Sequence, residues 1–244
     1  MRKLALATAL TLGISTAALA QEKDWNFGDG VTDERWSLQN IDYALCDVGL
    51  NQSPIDLGTP NARGNVELST MFGTVSGEMA LGEEKVQVDF VDADGKGMKS
   101  GGTMFNLVQV HFHTPSEHAI DGERFPLVAH FVHATDDGRL GVLGVMFEEG
   151  RTNPGLSNIL EAHASGDGTP VTFDIDTMVP DDLDVYRYMG SLTTPPCSEG
   201  VNWHVADTQV EASAQQIAAL RGALGPTARS LQPQGSRLVV APSD

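Results

Sequence analysis

Apolar and polar residues alternate in five short stretches, "KVQVDFVDA", "NLVQVHFH", "FPLVAHFVHA", "GRLGVLGVMF" and "VNWHVAD", each set off by Gly, Asp, Asn or Pro. A period of two places successive side chains on opposite faces of a strand, so the pattern commits the chain to a sheet. Helical periodicity is confined to "SAQQIAALRGAL", where Ser213 suits the N-cap, and "NPGLSNILEAHAS", where Pro154 stands near the start. Helices are therefore accessories to the sheet. "VDADGKG" begins like a calcium loop but lacks the later ligands, and reads as a turn between strands.

Ahead of these stretches, Arg2 and Lys3 precede an apolar run from Leu4 to Leu12 and small residues ending in Ala18 to Ala20. That is the form of a secretory signal peptide over residues 1–20, cleaved after Ala20. The remaining 224 residues, 21–244, suit one domain, because no Ser/Pro linker or repeat divides them. No later segment approaches the roughly 20 apolar residues of a membrane span. A periplasmic or secreted protein is expected. Loss of Arg2 and Lys3 takes the formal net charge from −18 to −20, a surface that repels nucleic acid and anionic lipid and favours solubility. Neither nucleic acid nor membrane is expected as a partner. Export also places Cys46 and Cys197, the only two cysteines, in an oxidising compartment. There a pair is more readily bridged than free, two buried thiols being the alternative.

The chain has seven histidines, and three of them fall in "QVHFHTPSEH", Gln109 to His118. On a strand, Gln109, His111 and His113 share one face while Val110 and Phe112 take the other. "VAHFVHA" adds His130, flanked two residues away by Val128 and Val132. Three imidazoles with apolar neighbours compose a zinc site that keeps one position open for water, a hydrogen-bonded or solvated histidine pair being the alternative. His133 has odd parity relative to His130 and points to the opposite face. His163 and His204 lie outside any ligand spacing.

"NQSPIDL" (Asn51 to Leu57), "QVHFHTPSEH", "AHFVHA" and "GSLTTPPCSEGVNW" (Gly190 to Trp203) together resemble, in order, the signature blocks of the α-class carbonic anhydrases of exported bacterial type. The resemblance runs from "DWNFGDG" near Asp24 to "ARSLQPQGSR" near Arg237. It implies a mainly β (α+β) fold: a single domain with a central twisted, largely antiparallel ten-stranded sheet and a few short peripheral helices. It also implies the Cys46–Cys197 disulfide.

For chemistry, the resemblance implies Zn2+ on His111, His113 and His130, and reversible hydration of carbon dioxide to bicarbonate and a proton by a zinc-bound hydroxide. Zinc lowers the pKa of bound water to about 7, a magnitude for which carbonic anhydrase is itself the reference example. Thr193 would accept the hydroxide's proton while donating its own to Glu117, which can only accept when ionised. Thr194 would help hold bicarbonate, and Val132, Val142, Leu192 and Trp203 would line the apolar carbon dioxide pocket. Gln109 would accept a ring proton from His111 and fix its tautomer. His118 would be a buried partner of Tyr188 rather than a ligand. Sulfonamides and anions are the implied inhibitors, and a homodimer is the implied assembly.

Three positions depart from the family pattern. Val128 replaces a glutamate that supports the third histidine, so His130 must find another acceptor and zinc is expected to be held less tightly. Glu84, or Glu83 if the register slips by one, stands where the family has its proton-shuttle histidine. Phe27 replaces a tyrosine that orders water in the cleft. Two other functions compete with the enzyme: a zinc-binding homologue with weak hydratase activity that acts as a binding module, and an esterase that uses the same hydroxide. The intact histidine trio with Thr193 and Glu117 favours the enzyme.

Overall fold

Each alternating stretch becomes a strand in the computed structural model, which describes residues 25–27 and 33–243. The signal peptide expected over residues 1–20 lies outside the described residues. In chain order the strands are β1 (Ala62–Arg63), β2 (Leu68–Met71), β3 (Thr74–Gly82), β4 (Lys85–Asp92), β5 (Gly97–Ser100), β6 (Thr103–His113) and β7 (Leu127–Ala134). There follow β8 (Leu140–Glu149), β9 (Pro170–Asp174), β10 (Val185–Ser191), β11 (Glu199–Ala206), β12 (Val210–Ala212) and β13 (Val239–Ala241). Three α-helices accompany them: α1 (Ala44–Val48), α2 (Pro154–Ser165) and α3 (Ala214–Leu224). Among the described residues no helix is long and apolar enough to cross a membrane.

Ten strands follow one another in a single path, β1, β13, β10, β11, β8, β7, β6, β4, β3, β9. Among the strands of the described residues, parallel pairing occurs only where β1 meets β13 and where β8 meets β11 and β12, so the sheet is largely antiparallel as expected. Three short strands, β2, β5 and β12, hang off this path. They hold three or four residues each, too few for a period of two to stand out in the sequence. "VDADGKG" is the expected turn: Lys96 N donates to Ala93 O at 2.9 Å and Gly95 takes φ +72°.

Parity decides which residues each face buries. The back face carries Val110, Phe112, Ala129, Phe131, Leu143, Val145 and Phe147, covered by Leu156 and Ile159 of α2 and by Ile217, Leu220 and Leu224 of α3. Burial of each such large side chain is worth about 1.5–3 kcal/mol, which makes this layer the main stabilising core. The helix starts are tied together. Asn153 Oδ1 caps α2 by accepting from Leu156 N at 3.1 Å, and Ser213 and Gln216 form a reciprocal capping box on α3. Gln216 Nε2 then donates to Asn153 O at 2.7 Å.

The front face carries Val128, Val142, Met146, Trp203 and Val205 with Ile55, Leu57 and Tyr188. One edge of this face is closed by Phe27, Trp36, Cys46 and Cys197. Trp25, Phe27 and Trp36 meet edge to face with centroids 5.3 to 6.1 Å apart. Cys46 and Cys197 are bridged across 151 positions of sequence.

Candidate metal centre

The register between β6 and β7 sets His111 directly opposite His130 and His113 opposite Val128. Because β6 and β7 are antiparallel neighbours, the three imidazoles stand on one face within a single hairpin. Their ring centroids lie 5.1 Å (His111 to His113), 5.2 Å (His111 to His130) and 5.0 Å (His113 to His130) apart. One nitrogen from each falls within 4.8 Å of the other two.

The outward nitrogens show which inward ones are available. His111 Nδ1 donates to Gln109 Oε1 at 2.9 Å, and His113 Nδ1 donates to the Thr227 carbonyl at 2.8 Å. Each bond fixes the tautomer and leaves Nε2 as a lone-pair donor. His113 Nε2 is buried without a hydrogen-bond partner, as an unliganded metal donor would be. His130 turns the other way: its Nδ1 lies 3.8 Å from Glu117 Oε2, on the side of the other two rings. Its Nε2 is buried and has no partner among the described residues. Gln109 precedes His111 by two and shares its face; at the same offset from His130 stands Val128, which cannot accept. Desolvation, then the neighbouring His113, keeps His111 and His130 well below the ordinary histidine pKa of 6.5. Neutral rings are what metal ligation needs.

Glu117 is fully buried. Its Oε1 accepts from Arg229 N at 3.1 Å, and its Oε2 points at the imidazoles, 3.6 Å from His113 Nε2. Thr193 is buried nearby in sequence to the disulfide, but no hydrogen bond joins its hydroxyl to Glu117 among the described contacts. Glu117 Oε2 has no hydrogen-bond partner among the described residues, and a carboxylate with one amide bond keeps lone pairs for a further donor. The loop that carries Thr193 is closed by two bonds, Leu192 N to Ser198 O at 3.0 Å and Cys197 N to Thr194 O at 2.9 Å. Thr194 is half-buried.

Val132, Val142 and Trp203 form one row across β7, β8 and β11, and Leu192 packs against the same cluster. Trp203 Nε1 donates to Ser191 O at 2.9 Å, and its ring lies 5.0 Å from that of His130. The four expected pocket residues are thus brought together beside the third imidazole.

The remaining histidines do other things. His118 Nε2 shares a 2.7 Å hydrogen bond with Tyr188 OH, and burial lowers its pKa to about 3. His133 and His204 lie fully buried on the back face; desolvation lowers their pKa values to about 4 and about 3. His204 Nε2 meets Ser100 Oγ at 2.8 Å. His163 sits in the last turn of α2. Glu84 is half-buried with φ +55° at the two-residue turn between β3 and β4, where Gly82 pairs with Lys85. Phe27 is buried, its ring edge-on to His113 at 6.4 Å. Sequence reasoning did not find Thr227 and Arg229, since both reach the site through main-chain atoms that leave no side-chain signature.

Three converging imidazoles, a buried carboxylate, a threonine and an apolar wall form a place where a cation could activate water against an apolar electrophile. Comparison with known proteins agrees. The family model described as eukaryotic-type carbonic anhydrase matches residues 31–241. A carbonic anhydrase of Pectobacterium carotovorum is 35% identical over 243 residues, covering 96% of this chain and 98% of its own. The solved α-carbonic anhydrase of Photobacterium profundum superimposes with a TM-score of 0.77 at 36% identity, covering 88% of this chain and 99% of its own. The α-carbonic anhydrase of Thermovibrio ammonificans, solved with the inhibitor sulfanilamide, gives a TM-score of 0.76 at 33% identity, with 88% and 98% coverage. From its hairpin of three histidines to its thirteen-stranded sheet, the chain belongs to the eukaryotic-type, or α, carbonic anhydrase family.

Proposed function

We propose that this protein interconverts carbon dioxide and bicarbonate at a zinc ion held by His111 Nε2, His113 Nε2 and His130 Nδ1. The observation that carries the reading is the convergence of these three nitrogens beside the apolar row of Val132, Val142 and Trp203. Bound there, zinc supplies a nucleophile at neutral pH by acidifying water to a pKa of about 7, carbonic anhydrase being the reference example of that magnitude. Val132, Val142, Leu192 and Trp203 exclude water and offer carbon dioxide, which has no charge to grip, an apolar surface. Glu117 accepts a hydrogen bond from the Thr193 hydroxyl, and the Thr193 oxygen would in turn accept one from the nucleophile, turning a lone pair toward carbon. Thr194 holds the bicarbonate product. Gln109 and Thr227 keep two imidazoles in the donating tautomer. Glu84 takes the shuttle position for the released proton. The leader over residues 1–20 directs the mature chain to the periplasm or the medium, and sulfonamides bind at the metal.

Stopped-flow hydration of carbon dioxide by protein of known zinc content, with and without a sulfonamide, tests the reading. Zinc-dependent, sulfonamide-sensitive hydration is expected, and His113→Ala should abolish it. Full activity of that variant at equal zinc content would refute the ligand assignment. The unpartnered His130 Nε2 is the one observation that favours a weakly active zinc-binding module instead. Such a module would bind zinc while hydration ran only slightly faster than in buffer; ester hydrolysis without hydration would mark an esterase.

A further inference from the structure

We propose that Arg229 is a positioning residue for hydration: its buried guanidinium fixes the main-chain amide that holds Glu117, and so decides which carboxylate oxygen faces the imidazoles. This rests on the reading of Glu117 and Thr193 as the pair that aims the nucleophile.

Arg229 is fully buried, and a buried charge must be solvated by protein groups. Nη1 donates to Gln52 Oε1 at 2.9 Å and to Ser53 O at 2.7 Å; Nη2 donates to Cys46 O at 2.7 Å. The guanidinium carbon lies 5.2 Å from the centre of the Trp36 ring, within cation–π range. Three acceptors from the segment of residues 46–53 thus hold one side chain. The main chain of the same residue makes the functional contact, Arg229 N to Glu117 Oε1 at 3.1 Å, and its carbonyl accepts from Arg124 Nη2 at 2.6 Å.

Residues 226–229 belong to no helix or strand, so no ladder of hydrogen bonds holds them. Contacts with the rest of the chain must do so. The segment is latched a second time where Thr227 N donates to Thr114 O at 2.9 Å and Thr114 N donates to Thr227 Oγ1 at 3.2 Å. Thr227 O receives the His113 ring proton. One short irregular segment therefore orients both a zinc ligand and Glu117, and the Arg229 guanidinium is its anchor. A carboxylate bound at Oε1 moves with the amide that binds it. If that amide drifts, Oε2 leaves its aim; displacements near 1 Å cost on the order of 100-fold in rate.

The test compares Arg229→Lys and Arg229→Gln with the parent, alone and combined with Glu117→Ala, each with zinc content measured. Lysine keeps the charge but cannot present the planar fork that meets three acceptors. At least a 10-fold fall in kcat/KM for carbon dioxide is expected in both single variants, with one zinc per chain retained. In the Glu117→Ala background, Arg229→Lys should change kcat/KM less than two-fold, because the aim is already lost. A purely structural anchor would instead multiply the two losses, and that result, or full kcat/KM in Arg229→Lys, would overturn the proposal while leaving the hydratase reading intact. Unchanged hydration in Glu117→Ala would overturn the aiming role of Glu117 and this proposal with it. Should the Arg229 variants not fold, Gln52→Met removes one acceptor of Nη1 and is read by the same cycle.

Discussion

Val128→Glu should make zinc leave more slowly. Two of the three imidazoles have an acceptor on the outward nitrogen, Gln109 Oε1 at 2.9 Å and Thr227 O at 2.8 Å, and the third has none among the described residues. Such partners are typically worth 10–100-fold in metal affinity, or about 1.4–2.8 kcal/mol at 1.4 kcal/mol per factor of ten. Against this stands the site of the change. Val128 is fully buried among Val142, Met146 and Trp203. A larger side chain there costs about 1–3 kcal/mol of packing, and its charge adds desolvation. The two effects fall on different states. Packing strain weakens the metal-free and loaded forms alike, whereas the carboxylate gains its partner most where zinc draws positive charge onto the His130 ring. The expected result is a lower melting temperature without metal, a wider gap between the metal-free and loaded forms, and release of zinc to excess chelator about 10–100-fold slower. Val128→Gln, a neutral acceptor, should lie between. Equal release rates in the parent and both variants would refute the idea that the missing acceptor limits zinc retention.

Glu84→His should raise kcat, and concentrated imidazole buffer should do the same for the parent, while kcat/KM for carbon dioxide stays nearly constant. An imidazole matches an acid of pKa about 7 better than a carboxylate does; a buffer titration at fixed pH and ionic strength checks it, and a kcat already saturated at low buffer would defeat it. Stability should fall with acid in the window set by the buried back-face histidines. Desolvation lowers the His133 pKa from 6.5 to about 4, so the unfolded chain binds a proton that the folded one refuses. Its stability contribution is complete above pH 6.5 and is lost as pH falls toward 4, to a total of roughly 3 kcal/mol at about 1.4 kcal/mol per unit. Melting followed across pH 4 to 7 should show about one proton less taken up on unfolding by His133→Gln than by the parent, and identical uptake would sink the assignment.

Much of the site was readable because strand parity is a local rule. Gln109, His111 and His113 on one face, and His133 opposed to His130, follow from a period of two that holds whatever the sheet's order. Ser213 announces α3 for the same reason, since a cap acts over three residues, and Pro154 marks the start of α2. The short strands β2, β5 and β12 escaped, because they exist only through their partners. So did the Thr227 carbonyl and the Arg229 amide: every residue has these groups, and only the folded path of the chain brings two of them to the metal hairpin. The hold on Glu117 was out of reach for the same reason: one oxygen of its buried carboxylate accepts from the amide of residue 229, which neither "SLTTPP" nor "QVHFHTPSEH" can reveal.

All three imidazoles lie between positions 111 and 130, whereas the carbonyl that orients His113 and the amide that holds Glu117 come from positions 227 and 229. A chain growing from its N-terminus therefore owns all three imidazoles almost a hundred residues before it owns the groups that orient His113 and Glu117. An isolated hairpin is marginally stable in water, so a cation caught by β6 and β7 would hold together two strands that later become the centre of the sheet. Capture of a metal by this hairpin and orientation of its surroundings would then be separate events, with the segment of residues 227–229 supplying the second.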